Sequence, residues 1–232
     1  MQSPPEQTFD AIIFDCDGTL VDSEPPGFAG IIDAAQALGL AMDRPDDLMA
    51  LKGRSMIQVV ELFEALAQAQ GRGPLPADIE ERIRAAMRAR FERELQLMPG
   101  ARELLTWLDE QHIPWVIASN GPRSKMHTTL GLTGLLARCE HRLISAVELG
   151  VYKPDPQLLL HAAQQLGVDP TRCVMVEDSA PGVRAALGAG MTVCVMGSED
   201  PLPDDLLPQV HPLTDLQALK AWRWARLEST AG

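Results

Sequence analysis

Short apolar runs and longer amphipathic stretches alternate along most of this chain. Ala11 to Phe14, Trp115 to Ala118 and Cys173 to Val176 are each apolar throughout, and Met191 to Val195 is apolar but for Thr192. Runs of four or five such residues predict strands buried on both faces. His141 to Ile144 predicts a weaker one. Between them lie helical patterns over Ala101 to Gln111, Arg123 to Leu130, Pro156 to Leu166 ending at Gly167, and Pro181 to Ala189 ending at Gly190. Strand and helix in alternation imply an α/β protein with a parallel sheet covered on both sides. The acidic, proline-bearing stretch from Gly197 to Pro212 predicts a loop, and Asp215 to Trp224 a terminal helix in which Trp222 and Trp224 are packing residues.

One long interruption breaks the alternation. From Glu24 to about Glu94 the strand pattern is absent. Phe28, Ile31, Ile32, Ala35 and Leu38 form one helical stripe, closed by Gly39. Met56, Val59, Val60, Phe63, Leu66 and Ala67 form a second, opened by Ser55 as N-cap, and Ile79, Ile83, Ala86, Met87 and Phe91 form a third. The expected organisation is a core of residues 1–22 and 98–232 with a helical cap of residues 23–97 inserted after the first strand, hinged near Ser23 to Pro25 and Leu97 to Gly100. An insert hung from that loop can act as a lid.

Polar residues gather where the apolar runs stop. Asp15 and Asp17 follow the first, Ser119 and Asn120 the second, and Glu177, Asp178 and Ser179 the third, with Lys153 in a Lys-Pro loop between. In an open parallel sheet, ligands bind beyond the strand C-termini. Taken singly, each segment has a plainer reading: an Asx turn for Asp15 and Asp17, helix caps for Ser119-Asn120 and Glu177-Asp178-Ser179, a solvated lysine at 153. Taken in order, they read as one reaction edge.

The series Asp15-Cys16-Asp17-Gly18-Thr19, then Ser119-Asn120, Lys153-Pro154 and Glu177-Asp178 resembles the four motifs of the haloacid dehalogenase-like superfamily. Within it the chain is similar to the β-phosphoglucomutase-like group. Phe14 to Glu24, Lys52-Gly53, Ser119 to Pro122 with Lys125-Met126, and Lys153 to Pro156 look most similar to its bacterial 6-phosphogluconate phosphatase branch. The resemblance implies a Rossmann-like core with a helical cap. It also implies phosphoryl transfer to Asp15 as nucleophile, with Asp17 as acid and base. It assigns the phosphate to Thr19, Ser119, Asn120 and Lys153, and a metal to Asp15, Asp178, the Asp17 carbonyl and Glu177 in or just outside the inner shell. Four carboxylates beside a dianionic phosphate ask for a cation, and hard oxygen donors favour Mg²⁺. Lys52 and Lys125 are the candidate substrate contacts; Arg54, Arg123 and Lys125 could meet a distal carboxylate, with exposed salt-bridging as their plainer reading. The expected reaction is hydrolysis of a small phosphorylated sugar or sugar acid, such as 6-phosphogluconate. A sugar phosphomutase is the alternative, disfavoured because Met56 and Gly27 stand where the mutases carry an arginine and a histidine.

A net charge of −12 argues against nucleic acid or an anionic membrane as partner. Cys16, Cys139, Cys173 and Cys194 lack CxxC spacing and read as buried thiols of a reducing compartment. Met1 to Thr8 has no signal-peptide character and no run is long enough to span a bilayer, so the expected location is cytoplasmic.

Overall fold

The computed structural model describes residues 5–42, 51, 54–197 and 201–225. Within them the chain forms β1 (Thr8–Phe9), β2 (Ala11–Phe14) and β3 (Val21–Asp22), and after the insert β4 (Gln96–Leu97), β5 (Trp115–Ser119) and β6 (Leu143–Ser145). β7 (Cys173–Glu177), β8 (Thr192–Met196), β9 (Val210–Leu213) and β10 (Arg223–Trp224) complete it.

Six strands make one sheet in the order β6-β5-β2-β7-β8-β9, every neighbouring pair parallel. β2, β5 and β7 are buried along their whole length, which explains their unbroken apolar sequences. From β2 the chain moves to β5 and β6 on one side, then crosses to β7 on the other. Helices diverge at such a reversal and leave a crevice beyond the C-termini of the two strands. Ala11, Ile13, Ala118 and Met175 pack with Leu159, Ala162, Val183 and Ala186 of the covering helices in one core.

Two segments depart from the sequence reading. β9 lies where a loop is expected, because it is an edge strand: His211 and Pro212 are tolerated where one side of the ladder is open, and the burial of Val210 and Leu213 fixes the register. The terminal helix is instead a 3₁₀ turn, Leu216–Ala221, after which β10 pairs with β1. The Phe9 ring packs, tilted, 5.5 Å from Trp222 and 6.0 Å from Trp224, so the last segment is drawn out along β1 rather than coiled. The weaker strand is shifted to Leu143–Ser145, since Glu140–Arg142 form a 3₁₀ turn.

The chain divides into two compact units, Met1–Asp22 with Gln96–Gly232, and Ser23–Leu95. The return boundary precedes the expected 97/98 because Gln96 and Leu97 pair antiparallel with Asp22 and Val21. In the second unit, helices Glu24–Ala37, Met56–Ala69 and Ile79–Glu94 enclose Ile31, Phe63 and Ile83. Ser55 caps the second of these with a reciprocal Gln58 bond. Arg90 grips Asp33 through two bonds of 2.6 and 2.8 Å. Lys52 and Gly53 lie outside the described residues. The four cysteines are free and buried, and among the described residues no helix is long and apolar enough to cross a membrane.

Candidate active site

Asp15 follows the last residue of β2 and donates its backbone N–H to Val176 of β7, so the chain carries it straight into the crevice. The backbone then closes a tight loop in which Leu20 and Val21 both donate to the Cys16 carbonyl and Gly18 donates to Val21. Gly18 has φ +76°, and a Cβ there would overlap the Asp178 carboxylate. Both facts demand glycine. Thr19, fully buried, donates its hydroxyl to Asp178 Oδ1 at 3.2 Å, joining the first loop to the loop after β7.

Lys153 binds the two buried acids together. Its Nζ lies 2.7 Å from Asp15 Oδ1 and 2.7 Å from Glu177 Oε1, with its side chain 2% exposed. Burial opposes the Lys153 ammonium, but the two carboxylates outweigh it and hold its pKa above the usual lysine value. Burial likewise pushes the Asp15 carboxyl up, to about 7, against the pull of Lys153 and with Glu177 adding repulsion. Burial also works against ionised Glu177, yet Lys153 and the Ser179 and Asp178 backbone N–H groups bring its pKa below the ordinary range. The Asn120 carboxamide sets this lysine in place: Oδ1 accepts from Lys153 N–H at 2.9 Å, and Nδ2 donates to the Lys153 carbonyl at 3.2 Å. The Lys153–Pro154 peptide is cis.

Glu177 uses both oxygens inside the protein. Oε1 takes Lys153, while Oε2 accepts from Asp178 N–H at 2.8 Å, Ser179 N–H at 2.8 Å and the Ser179 hydroxyl at 2.9 Å. A Cβ at Gly182 would overlap this carboxylate, so the first turn of helix Ala180–Gly188 is shaped around it. Ser179 accepts from Gly182 N–H as the helix N-cap. Ser179 thus supplies the helix cap expected of this segment, while the Glu177 carboxylate is the buried partner of Lys153.

On the other flank Ser119 ends β5 and its buried hydroxyl accepts from Gly121 N–H at 3.1 Å. Helix Arg123–Leu132 follows, and from its first turn Lys125 Nζ reaches Asp17 Oδ2 at 2.8 Å. Desolvation opposes the Lys125 charge, but Asp17 more than compensates and raises its pKa. Arg123 turns instead to Glu148 and the Leu143 carbonyl.

The first core motif, Lys153 and the Glu177-Asp178 pair thus converge at one end of the sheet. The haloacid dehalogenase-like hydrolase family profile matches residues 9–190. The chain belongs to the haloacid dehalogenase-like hydrolases. It is 30% identical over 223 residues to 6-phosphogluconate phosphatase of Escherichia coli K12, covering 96% of this chain and 98% of that one. To hexitol phosphatase B of the same strain it is 34% identical over 194 residues, covering 84% and 86%. A solved structure, a candidate β-phosphoglucomutase from Thermotoga maritima, superposes with a TM-score of 0.78 at 25% identity over 91% of this chain and 98% of that one. This haloacid dehalogenase-like enzyme therefore has the α/β Rossmann-like core of its family.

The site's donors fit a hard divalent cation. Among the described residues no three His, Cys, Asp or Glu side chains form a ready cage. Mg²⁺ does not require one, since it is ordinarily held by one or two carboxylates, water and substrate phosphate. The Gly18 gap lets the Asp178 carboxylate reach the Asp15 loop, and four carboxylates here face two ammonium groups. Both Glu177 oxygens are engaged within the protein, Oε1 by Lys153 alone and Oε2 by the Asp178 and Ser179 donors.

Proposed function

We propose that this phosphatase hydrolyses small phosphorylated sugars or sugar acids through a phospho-Asp15 intermediate, with Mg²⁺ as cofactor. The observation that carries the reading is the Asp15–Lys153–Glu177 triad at the switch point, which fixes one carboxylate in the crevice with a cation beside it. Asp15 attacks phosphorus and the ester P–O bond breaks, while Asp17 gives a proton to the departing oxygen. Water then attacks the acyl phosphate, Asp17 takes its proton, and inorganic phosphate leaves with Asp15 restored. Lys153 and the Ser119–Gly121 turn face the phosphoryl oxygens, and Asn120 acts chiefly by holding Lys153. The cation would be held by Asp15, Asp178 and the Asp17 carbonyl, and supplies charge compensation for the phosphoryl group.

Relatives named for 6-phosphogluconate and for hexitol phosphates support a six-carbon polyol or sugar acid bearing a terminal phosphate. Phosphate release should be measured on a panel of such esters beside hexose phosphates. Free phosphate with no isomerised sugar is the expected product; conversion of one sugar phosphate into another would establish the mutase instead. Asp15→Asn should abolish turnover and acid-stable covalent phosphate labelling while its unfolding curve stays cooperative; a variant that still turns over removes Asp15 as nucleophile.

A further inference from the structure

Two lysines serve this site, and they have separate partners. Lys153 joins Asp15 and Glu177, whereas Lys125 meets Asp17. The second ion pair links residues 108 positions apart and is reached from a rigid base. Helix Arg123–Leu132 buries Met126, Thr129 and Leu130 against the core, and Thr129 returns its hydroxyl to the Lys125 carbonyl at 3.2 Å. The pair runs beside Gly121, where a Cβ would stand 3.8 Å from Asp17 Oδ2 and 3.8 Å from Lys125 Cδ. The ammonium thus approaches Asp17 from the phosphate-binding turn. Both side chains remain partly open, 32% for Lys125 and 22% for Asp17.

We infer that Lys125 is a positioning residue for proton transfer by Asp17, not a reader of the substrate's distal group. The inference rests on the phosphatase reading above and deepens it. An acid must sit about 2.6–3.2 Å from the oxygen it protonates, and a misplacement of about 1 Å can cost 10²-fold. Asp17 is partly solvated, so the direction of its carboxylate depends on the groups that bind it, and Lys125 binds Oδ2 at 2.8 Å. The ammonium, held by a packed helix, fixes that direction. Because Asp17 acts at the ester oxygen, a lysine bound to it lies at the ester end of the substrate. In a six-carbon chain phosphorylated at one terminus, a carboxylate at the other terminus is beyond it.

Leaving-group dependence separates this role from a structural one. An alkyl phosphate expels a basic oxygen that needs the proton; p-nitrophenyl phosphate expels an oxygen that does not. For Lys125→Met, kcat/KM on the best alkyl phosphate should fall about 100-fold, while p-nitrophenyl phosphate changes by less than about 3-fold. Should that variant be insoluble, Lys125→Gln is read by the same ratio. On an Asp17→Asn background, Lys125→Met should leave the ratio where Asp17→Asn alone puts it. An unchanged ratio of the two esters in the single variant overturns the inference, as does a KM increase confined to 6-phosphogluconate and absent with hexitol phosphates. Wild-type enzyme that releases phosphate from neither ester would instead refute the phosphatase reading, so the two failures are distinct.

Discussion

Replacing Lys153 by Met removes one charge and leaves two buried acids facing each other. Lys153 and Glu177 have side chains 2% and 1% exposed, and Asp15 12%, with 2.7 Å from the ammonium to each carboxylate. Deleting one member of a buried ion pair costs about 3–5 kcal/mol. Proton uptake sets a ceiling on that cost. A glutamate of ordinary pKa about 4.3 pays about 1.4 kcal/mol per pH unit to be protonated above it, so the ceiling is about 3.7 kcal/mol at pH 7 and about 1 kcal/mol at pH 5. In the variant the folded-state carboxyl pKa is raised above its unfolded value. The folded protein then binds more protons than the unfolded chain between those two values, and its stability rises as pH falls. Urea unfolding of metal-free wild type and Lys153→Met should therefore show a gap of about 3–3.7 kcal/mol at pH 7 that closes to about 1 kcal/mol at pH 5. The Asn120 bonds to the Lys153 main chain survive the substitution, so the loop itself stays anchored. A gap below about 1 kcal/mol at pH 7, or one of equal size at both pH values, would refute the buried triad.

Gly182→Ala should destabilise by about 1–3 kcal/mol in urea, reversing the usual helix preference, because the new methyl meets the Glu177 carboxylate. Gly188→Ala in the same helix meets only Pro156 at 3.5 Å and should be neutral or stabilising by up to about 1 kcal/mol; loss at both positions would show that helix geometry, not Glu177, sets the requirement. In the helical insert, Arg90 holds the Asp33 pKa down, so the pair contributes above the unfolded aspartate pKa and fades as pH falls through the lower folded value. Both side chains are partly exposed, so a double-mutant cycle should give a coupling close to the limit of measurement at pH 7 and none near pH 2; a coupling as large as that of the Lys153 triad would mean the pair is shielded from solvent. Dialysis against EDTA should silence phosphate release and Mg²⁺ should restore it, with full activity in chelator removing the cation from the reaction.

The layered core and the places where chemistry gathers are written in the residue pattern alone. Apolar runs such as Ala11 to Phe14 and Cys173 to Val176 are legible because burial on both faces leaves no polar position to confuse the pattern. Helices of the insert were legible through their stripes and through Ser55, a cap whose hydrogen bond is local. What failed was non-local. β9 carries His211 and Pro212 in the middle of its four residues and β10 has only two, so neither leaves an apolar run, and each exists only because a partner strand or Phe9 is waiting for it. The division of labour among the site's charges was equally invisible. Folding is what joins Lys153 to Asp15 and Glu177, clamps the Lys153 main chain with Asn120, and sends Lys125 to Asp17 while Arg123 goes to Glu148. Strand order brings these groups together from positions up to about 160 residues apart, and ion pairing is a matter of distance, which a linear pattern does not contain.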